Sequence, residues 1–242
     1  MRIALISDIH GNKVALDAVV ADIAAHKIDQ IVCLGDVATM GPNPRGVLAE
    51  LRRLGCTCIL GNHDEFMLDD QLIHTYTEAA IVVEAVDWCR AQLEAADFEF
   101  IETFVEGLTL DLGDGQVLQL FHGTPNSNMI DVLATTAPAD LDDMLDGNRA
   151  TVMAGGHTHI QMMRQHKGIL LVNPGSVGLP FVEYVQGKAP ELMGHAEYAI
   201  IEGTGGTVNV NLRRVTVDGE AARAAVAASD NPMKLGLLVQ YS

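Results

Sequence analysis

Apolar residues in this chain come in short runs, and most runs end in a glycine or in a side chain of the kind that binds metal. Residues 3–6 form the first such run, and Ser7-Asp8-Ile9-His10-Gly11 follows it. The run reads as a buried strand, and alternate residues of extended chain share a side, which predicts that Asp8 and His10 converge. After Asn12, the spacing of Leu16, Val19, Val20 and Ile23 predicts a helix. Residues 30–34 are a second strand, ending in Gly35-Asp36. Gly41-Pro42-Asn43-Pro44 then turns the chain, with Asn43 as N-cap and Pro44 as the first helical residue. Residues 57–60 are a third strand, ending in Gly61-Asn62-His63-Asp64. Strand and helix alternating at this spacing predict βαβ crossovers and a largely parallel sheet. Ligands of such sheets lie beyond the carboxyl ends of the strands, so the three polar tips are expected at one edge.

The rhythm breaks over about residues 65–105. Thr75-Tyr76-Thr77-Glu78 fits a capping box, and Val82, Val86, Cys89, Leu93 and Ala96 follow at helical spacing, with Trp88 near their face. A helical insertion is expected here, serving as a cap over the site. Alternation then returns: a hairpin through Gly113-Asp114-Gly115, its second strand ending in His122-Gly123; a short helix around Leu141; a strand over 151–154 ending in Gly155-Gly156-His157-Thr158-His159; and a strand over 169–172 ending in Asn173-Pro174-Gly175-Ser176. A closing hairpin through Gly203, Gly205 and Gly206, then an alanine-rich helix and a tail, complete the prediction. The glycine cluster lacks the Lys-Ser/Thr of a phosphate-binding loop and reads as a turn.

Composition narrows the class. With 48% hydrophobic residues in 242, the chain has material for a large core. Its net charge of −17 and lack of a basic run disfavour a surface that grips long nucleic acid. Cys33, Cys56, Cys58 and Cys89 form no zinc-type pairs and are expected to pack as free thiols. No apolar stretch approaches a membrane span and the first strand is no signal peptide, so a cytoplasmic setting without membrane attachment is expected. His26, His74, His166 and His195 lack ligand partners at useful spacing; of His195 and Tyr184, in the weakly patterned segment after Gly178, one is expected to border the substrate.

The strand tips collect Asp8, His10, Asp36, Asn62, His63, His122, His157 and His159. Nitrogen and oxygen donors in this mixture suit first-row transition metals, and they are too many for one tetrahedral ion. Two ions sharing a carboxylate would use them, with Asp36 as the natural bridge because its strand lies between the other two tips.

These motifs, Asp8-Ile9-His10, Gly35-Asp36, Gly61-Asn62-His63-Asp64, His122-Gly123 and Gly156-His157-Thr158-His159, resemble in kind and order the signatures of the calcineurin-like metallophosphoesterases. With Gly41-Pro42-Asn43-Pro44 and Asn173-Pro174-Gly175-Ser176-Val177-Gly178, the chain looks like their small bacterial and archaeal phosphodiesterase-like branch. The resemblance implies an α/β fold, a four-layer α/β/β/α sandwich, here as a single domain with the helical cap. It implies one divalent ion (Mn, Fe, Co, Ni or Zn) on Asp8, His10, Asp36 and His159, and a second on Asp36, Asn62, His122 and His157. His63 matches the non-ligand histidine near the leaving group, and Asp64 the acid that orients it. Asn12 and Asn173 are candidate substrate contacts. The activity implied is hydrolysis of a phosphodiester or monoester of a small molecule or nucleotide, through a metal-bridging hydroxide. Alternatives are a nuclease on short nucleic acid and a non-catalytic scaffold on the same fold; a homo-oligomer through the apolar cap helix is a further expectation. One departure stands out: where many relatives continue with Gln-Pro-Arg, this chain reads Leu179-Pro180-Phe181, without that arginine.

Overall fold

The computed structural model describes residues 1–145, 147–185 and 187–240. The elements are β1 (Arg2–Ile6), α1 (Lys13–Ala24), β2 (Gln30–Cys33), α2 (Pro44–Leu54), β3 (Thr57–Cys58), α3 (Asn62–Leu68), α4 (Ile73–Tyr76), α5 (Ala80–Ala91) and α6 (Ala95–Ile101). There follow β4 (Leu108–Gly113), β5 (Gln116–Leu120), α7 (Pro138–Met144), β6 (Val152–Ala154), β7 (Met162–His166), β8 (Ile169–Asn173), β9 (His195–Thr204), β10 (Thr207–Thr216), α8 (Gly219–Ala228) and α9 (Lys234–Gln240).

Two five-stranded mixed sheets result, in the orders β10-β9-β1-β2-β3 and β4-β5-β6-β8-β7. Strand β1 shows why they stack. Ile3 and Leu5 join Val32, Leu34, Leu118, Leu120, Val152 and Val172 in a core between the sheets, while Ala4 and Ile6 join Leu16, Val19, Val47 and Leu51 beneath α1 and α2. Successive side chains on a strand point to opposite faces, and here both faces are covered. On the outer side of the second sheet, Leu141 of α7 packs with Phe121, Met153 and Leu171. This is the sandwich of two sheets between helices that the resemblance implies.

The predicted strands stand, the third shortened to Thr57–Cys58, with β1, β2 and β3 parallel to one another. One strand escaped prediction: β7 pairs antiparallel with β8 and reads Met162-Met163-Arg164-Gln165-His166, with no clean alternation. The expected tail contains a further helix, α9. The capping box also fails: Thr75 lies inside α4 and its hydroxyl donates to the Leu72 carbonyl at 2.8 Å, while α5 starts after Ala79 without a side-chain cap. Trp88 packs against the core beneath α1 and α2, and the segment meets the polar tips through α3 and Tyr76. A buried acid the sequence did not single out, Asp97, holds α6 to α2 by accepting from Arg45 and Arg52. Among the described residues no helix is long and apolar enough to cross a membrane.

Candidate metal centre

The polar tips sit past the ends of their strands, with Asn62, His63 and Asp64 opening α3, and five tip residues adopt left-handed backbone: Asp8 (φ 53°), His10 (47°), Asp36 (57°), His157 (67°) and His159 (58°). Convergence of Asp8 with His10 therefore comes from a tight turn and not from extended chain, and the His157–His159 turn sends its two histidines to different ligand groups. Left-handed conformation costs an L-residue roughly 1–2 kcal/mol, and such strain gathers at functional sites. The motif glycines serve the same crowding. A Cβ on Gly61 would stand 2.2 Å from the Asp36 carboxylate, and one on Gly156 would stand 1.9 Å from Ser7 Oγ.

Two groups of ligand atoms result, each within 4.8 Å: Asp8, His10, Asp36 and His159; and Asp36, His122 and His157. Asn62 adds an oxygen to the second group, 3.1 Å from His122 Nε2. Asp36 Oδ1 lies 3.5 Å from His122 Nε2 and its Oδ2 3.7 Å from His10 Nε2, so its two oxygens face different groups. His122 Nδ1 donates to the Leu34 carbonyl and His159 Nδ1 to the Leu179 carbonyl, both at 2.7 Å, which turns both Nε2 atoms inward. Backbone amides fix the carboxylates: His63 N donates to Asp36 and His157 N to Asp8.

The donor set fits divalent cations. His10 Nε2 and His159 Nε2 stand 3.1 Å apart, and with its Nδ1 proton committed, a neutral His159 offers only a lone pair there. Asp8 Oδ1 is buried without a hydrogen-bond partner. Positive charge is what such a cluster lacks. Burial opposes protonation of His122, yet Asp36 and the Leu34 carbonyl push it up to about 10, and Asp8 likewise raises His159. Burial alone would raise Asp36, but His122 and His63 hold it well below the carboxylate range. A metal ion would supply that charge in place of protons.

His63 lies beside the cluster and outside both groups. Its Nδ1 meets Thr39 Oγ1 at 3.0 Å, and the same hydroxyl meets His10 Nδ1 at 3.1 Å. Asp64, expected to orient His63, does something else. Its carboxylate accepts from the backbone amides of Asp36, Val37 and Gly61 at 2.8, 2.9 and 2.9 Å, stapling two motif turns together. Thr39, a neutral side chain in an unpatterned turn, carried no signal of its role in the sequence.

The asparagines expected at substrate are also engaged in the fold. Asn12 caps α1 by accepting from Ala15 N and donates to the Gly178 carbonyl. Asn173 donates to Gly156 O and Thr158 Oγ1 and accepts from Gly175 N, holding the His157–His159 turn. Where the arginine of Gln-Pro-Arg would fall, Phe181 stacks on His159 with ring centroids 4.3 Å apart. Tyr184 meets the mouth of the site through Asp131, which lies 3.4 Å from His157 Nε2; His195 instead pairs with Glu197. His26 and His166 pair with Asp22 and Asp142, outside both groups.

Two stacked mixed sheets between helices, with histidines and carboxylates gathered at the strand tips, define a metallophosphoesterase-type fold. The sequence profile of the calcineurin-like phosphoesterase superfamily domain matches residues 1–202, and the chain belongs to that superfamily of metal-dependent phosphoesterases. It is 28% identical over 193 residues to the uncharacterised protein MJ0912 of Methanocaldococcus jannaschii, covering 74% of this chain and 76% of that one. A metallophosphoesterase from Sphaerobacter thermophilus superposes with a TM-score of 0.76 at 25% identity, over 100% of this chain and 98% of that one. The hypothetical protein PH1004 of Pyrococcus horikoshii shares the fold at a TM-score of 0.83 and 17% identity, over 98% and 97% of the two chains.

Proposed function

We propose that the protein is a binuclear metal-dependent hydrolase of small phosphodiesters. The observation that carries this reading is the pair of ligand groups sharing Asp36. Asp8, His10, Asp36 and His159 would hold one divalent transition-metal ion; Asp36, Asn62, His122 and His157 would hold the other. When bound, the ions supply a water nucleophile at neutral pH and a Lewis-acid clamp on the phosphoryl oxygens.

The chain's own residues do the rest. With its Nε2 facing the cluster, His10 keeps its proton on Nδ1 and donates it to Thr39. The Thr39 hydroxyl is then free to donate to His63 Nδ1, which leaves the His63 proton on Nε2. A neutral imidazole so arranged donates to the leaving oxygen. Retention of every ligand and of His63 argues against a scaffold role, and four buried, unpaired cysteines support a reducing compartment such as the cytoplasm.

The test is hydrolysis of bis(p-nitrophenyl) phosphate and p-nitrophenyl phosphate by protein stripped of metal and resupplied with Mn²⁺, Ni²⁺, Co²⁺, Zn²⁺ or Mg²⁺. Metal-dependent turnover favouring the diester is expected; inactivity with every metal despite bound ions would sink the reading. A second expectation concerns Thr39. Thr39→Val removes the shared hydroxyl at nearly constant volume, and kcat should fall about 10–100-fold, the usual effect of losing a partner that orients a metal-binding histidine. Thr39→Ser should restore most of it, and equal losses in both variants would refute the relay.

A further inference from the structure

The mouth of the metal centre carries a feature the hydrolytic reading does not use. Asp131, on the loop between β5 and α7, points Oδ1 at His157 Nε2, 3.4 Å away, and its Oδ2 accepts the Tyr184 hydroxyl proton. Its side chain is 33% exposed, so it meets both the cluster and solvent. It also stays out of the ligand groups, which contain His157 without it. Beside the cluster, the Tyr76 ring lies 5.9 Å from that of His63. Burial pushes the Tyr76 hydroxyl up to about 12, and the charges of Asp36 and Asp131 add to the rise.

Apolar side chains flank Asp131 and His159. Phe181 stacks on His159, and its neighbour Val182, with Met129 and Ile130 next to Asp131, is exposed. Among the described residues, the side-chain ion pairs of Asp8, Asp36 and Asp131 are all with histidines; no lysine or arginine joins them.

From this arrangement we infer that Asp131, oriented by Tyr184, is a specificity-determining residue that admits phosphodiester monoanions bearing an apolar or aromatic group and disfavours phosphomonoester dianions. The inference rests on the phosphoesterase reading of the same centre. The physical reason is charge counting. A diester carries one negative charge whatever the pH near neutrality, whereas a monoester carries nearly two above its second pKa of about 6. A fixed carboxylate at the rim repels the second species about twice as strongly, in a partly desolvated opening where charges are poorly screened. The aromatic and aliphatic rim then offers the ester group apolar surface in place of a phosphate-gripping cation.

Calorimetric binding of diphenyl phosphate and phenyl phosphate to the metal-loaded protein at pH 8 tests this without requiring turnover. Asp131→Asn is expected to shift the affinity ratio toward phenyl phosphate by about tenfold, and Asp131→Lys further in the same direction, with metal content equal to wild type. An unchanged ratio in both variants overturns the inference. So does loss of a metal ion with the carboxylate, which would make Asp131 a ligand. Absence of turnover in the metal-resupply assay would instead strike at the hydrolase reading, and the two failures are therefore separable.

Discussion

Asp36→Asn is expected to reduce metal-dependent phosphodiester hydrolysis to below roughly a hundredth of wild type, since losing even a residue that merely orients a ligand costs 10–100-fold. Among the described residues Asp36 alone belongs to both ligand groups, and its two oxygens face different ones. The amide keeps the shape but replaces one oxygen by a donor and removes the negative charge that two cations would share. Oδ1 also accepts the His63 amide at 2.9 Å, so the asparagine has reason to hold its oxygen on that side and lose the other group first. Elemental analysis beside the turnover assay checks this: metal per chain should fall together with kcat. Full turnover with full metal content would remove Asp36 from the bridging position.

His63→Ala should lower kcat by about 10²–10⁴-fold, the range for a positioned general acid, while leaving metal content near wild type. The imidazole belongs to neither ligand group, its Nδ1 is committed to Thr39, and the side chain is 8% exposed beside the cluster. Burial lowers its pKa to about 4, so at neutral pH it is an uncharged ring whose single proton is placed by its partners. The loss should be larger for alkyl than for nitrophenyl leaving groups, because a nitrophenolate departs without protonation. Kinetics on paired substrates, with metal quantified in the same samples, decide the matter; equal loss of metal and kcat would assign His63 to binding instead. Asp64 behaves differently in principle. With three backbone amides on its carboxylate, its removal strands buried donors at about 1–3 kcal/mol each, and the expected damage is to stability and to the Asp36 turn.

Much of the site was legible because its chemistry is concentrated in short motifs. Asp8, His10, Asp36, Asn62, His63, His122, His157 and His159 all came from tips of apolar runs, and the structure brings them to one place. What was missed shares a different character. Thr39 acts through two histidines, one 29 and one 24 residues away in the chain; Asp131 reaches His157 from an unpatterned loop; and Asp64 acts on amides up to 28 residues off. A threonine in a turn or an aspartate in a loop looks the same whether it faces water or a neighbour. The assignment of Asp64 to His63 illustrates the error: adjacency in the chain placed them on successive helical positions, which point in different directions.

The sequence by itself determined the strands that alternate between two cores, the turns that end them, and the identity of the residues offered to metal. These are local properties, set by side-chain period and by donor type. Tertiary structure alone decided that β7 would extend the second sheet, an edge position that tolerates the exposed Met163, and that tight left-handed turns would aim the ligands. It also decided which neutral or loop-borne side chains orient them. Those choices depend on how closely distant segments approach, as Gly61 against Asp36 and Gly156 against Ser7 show. That distance is fixed by the packing of two sheets and is written in no single stretch of the chain.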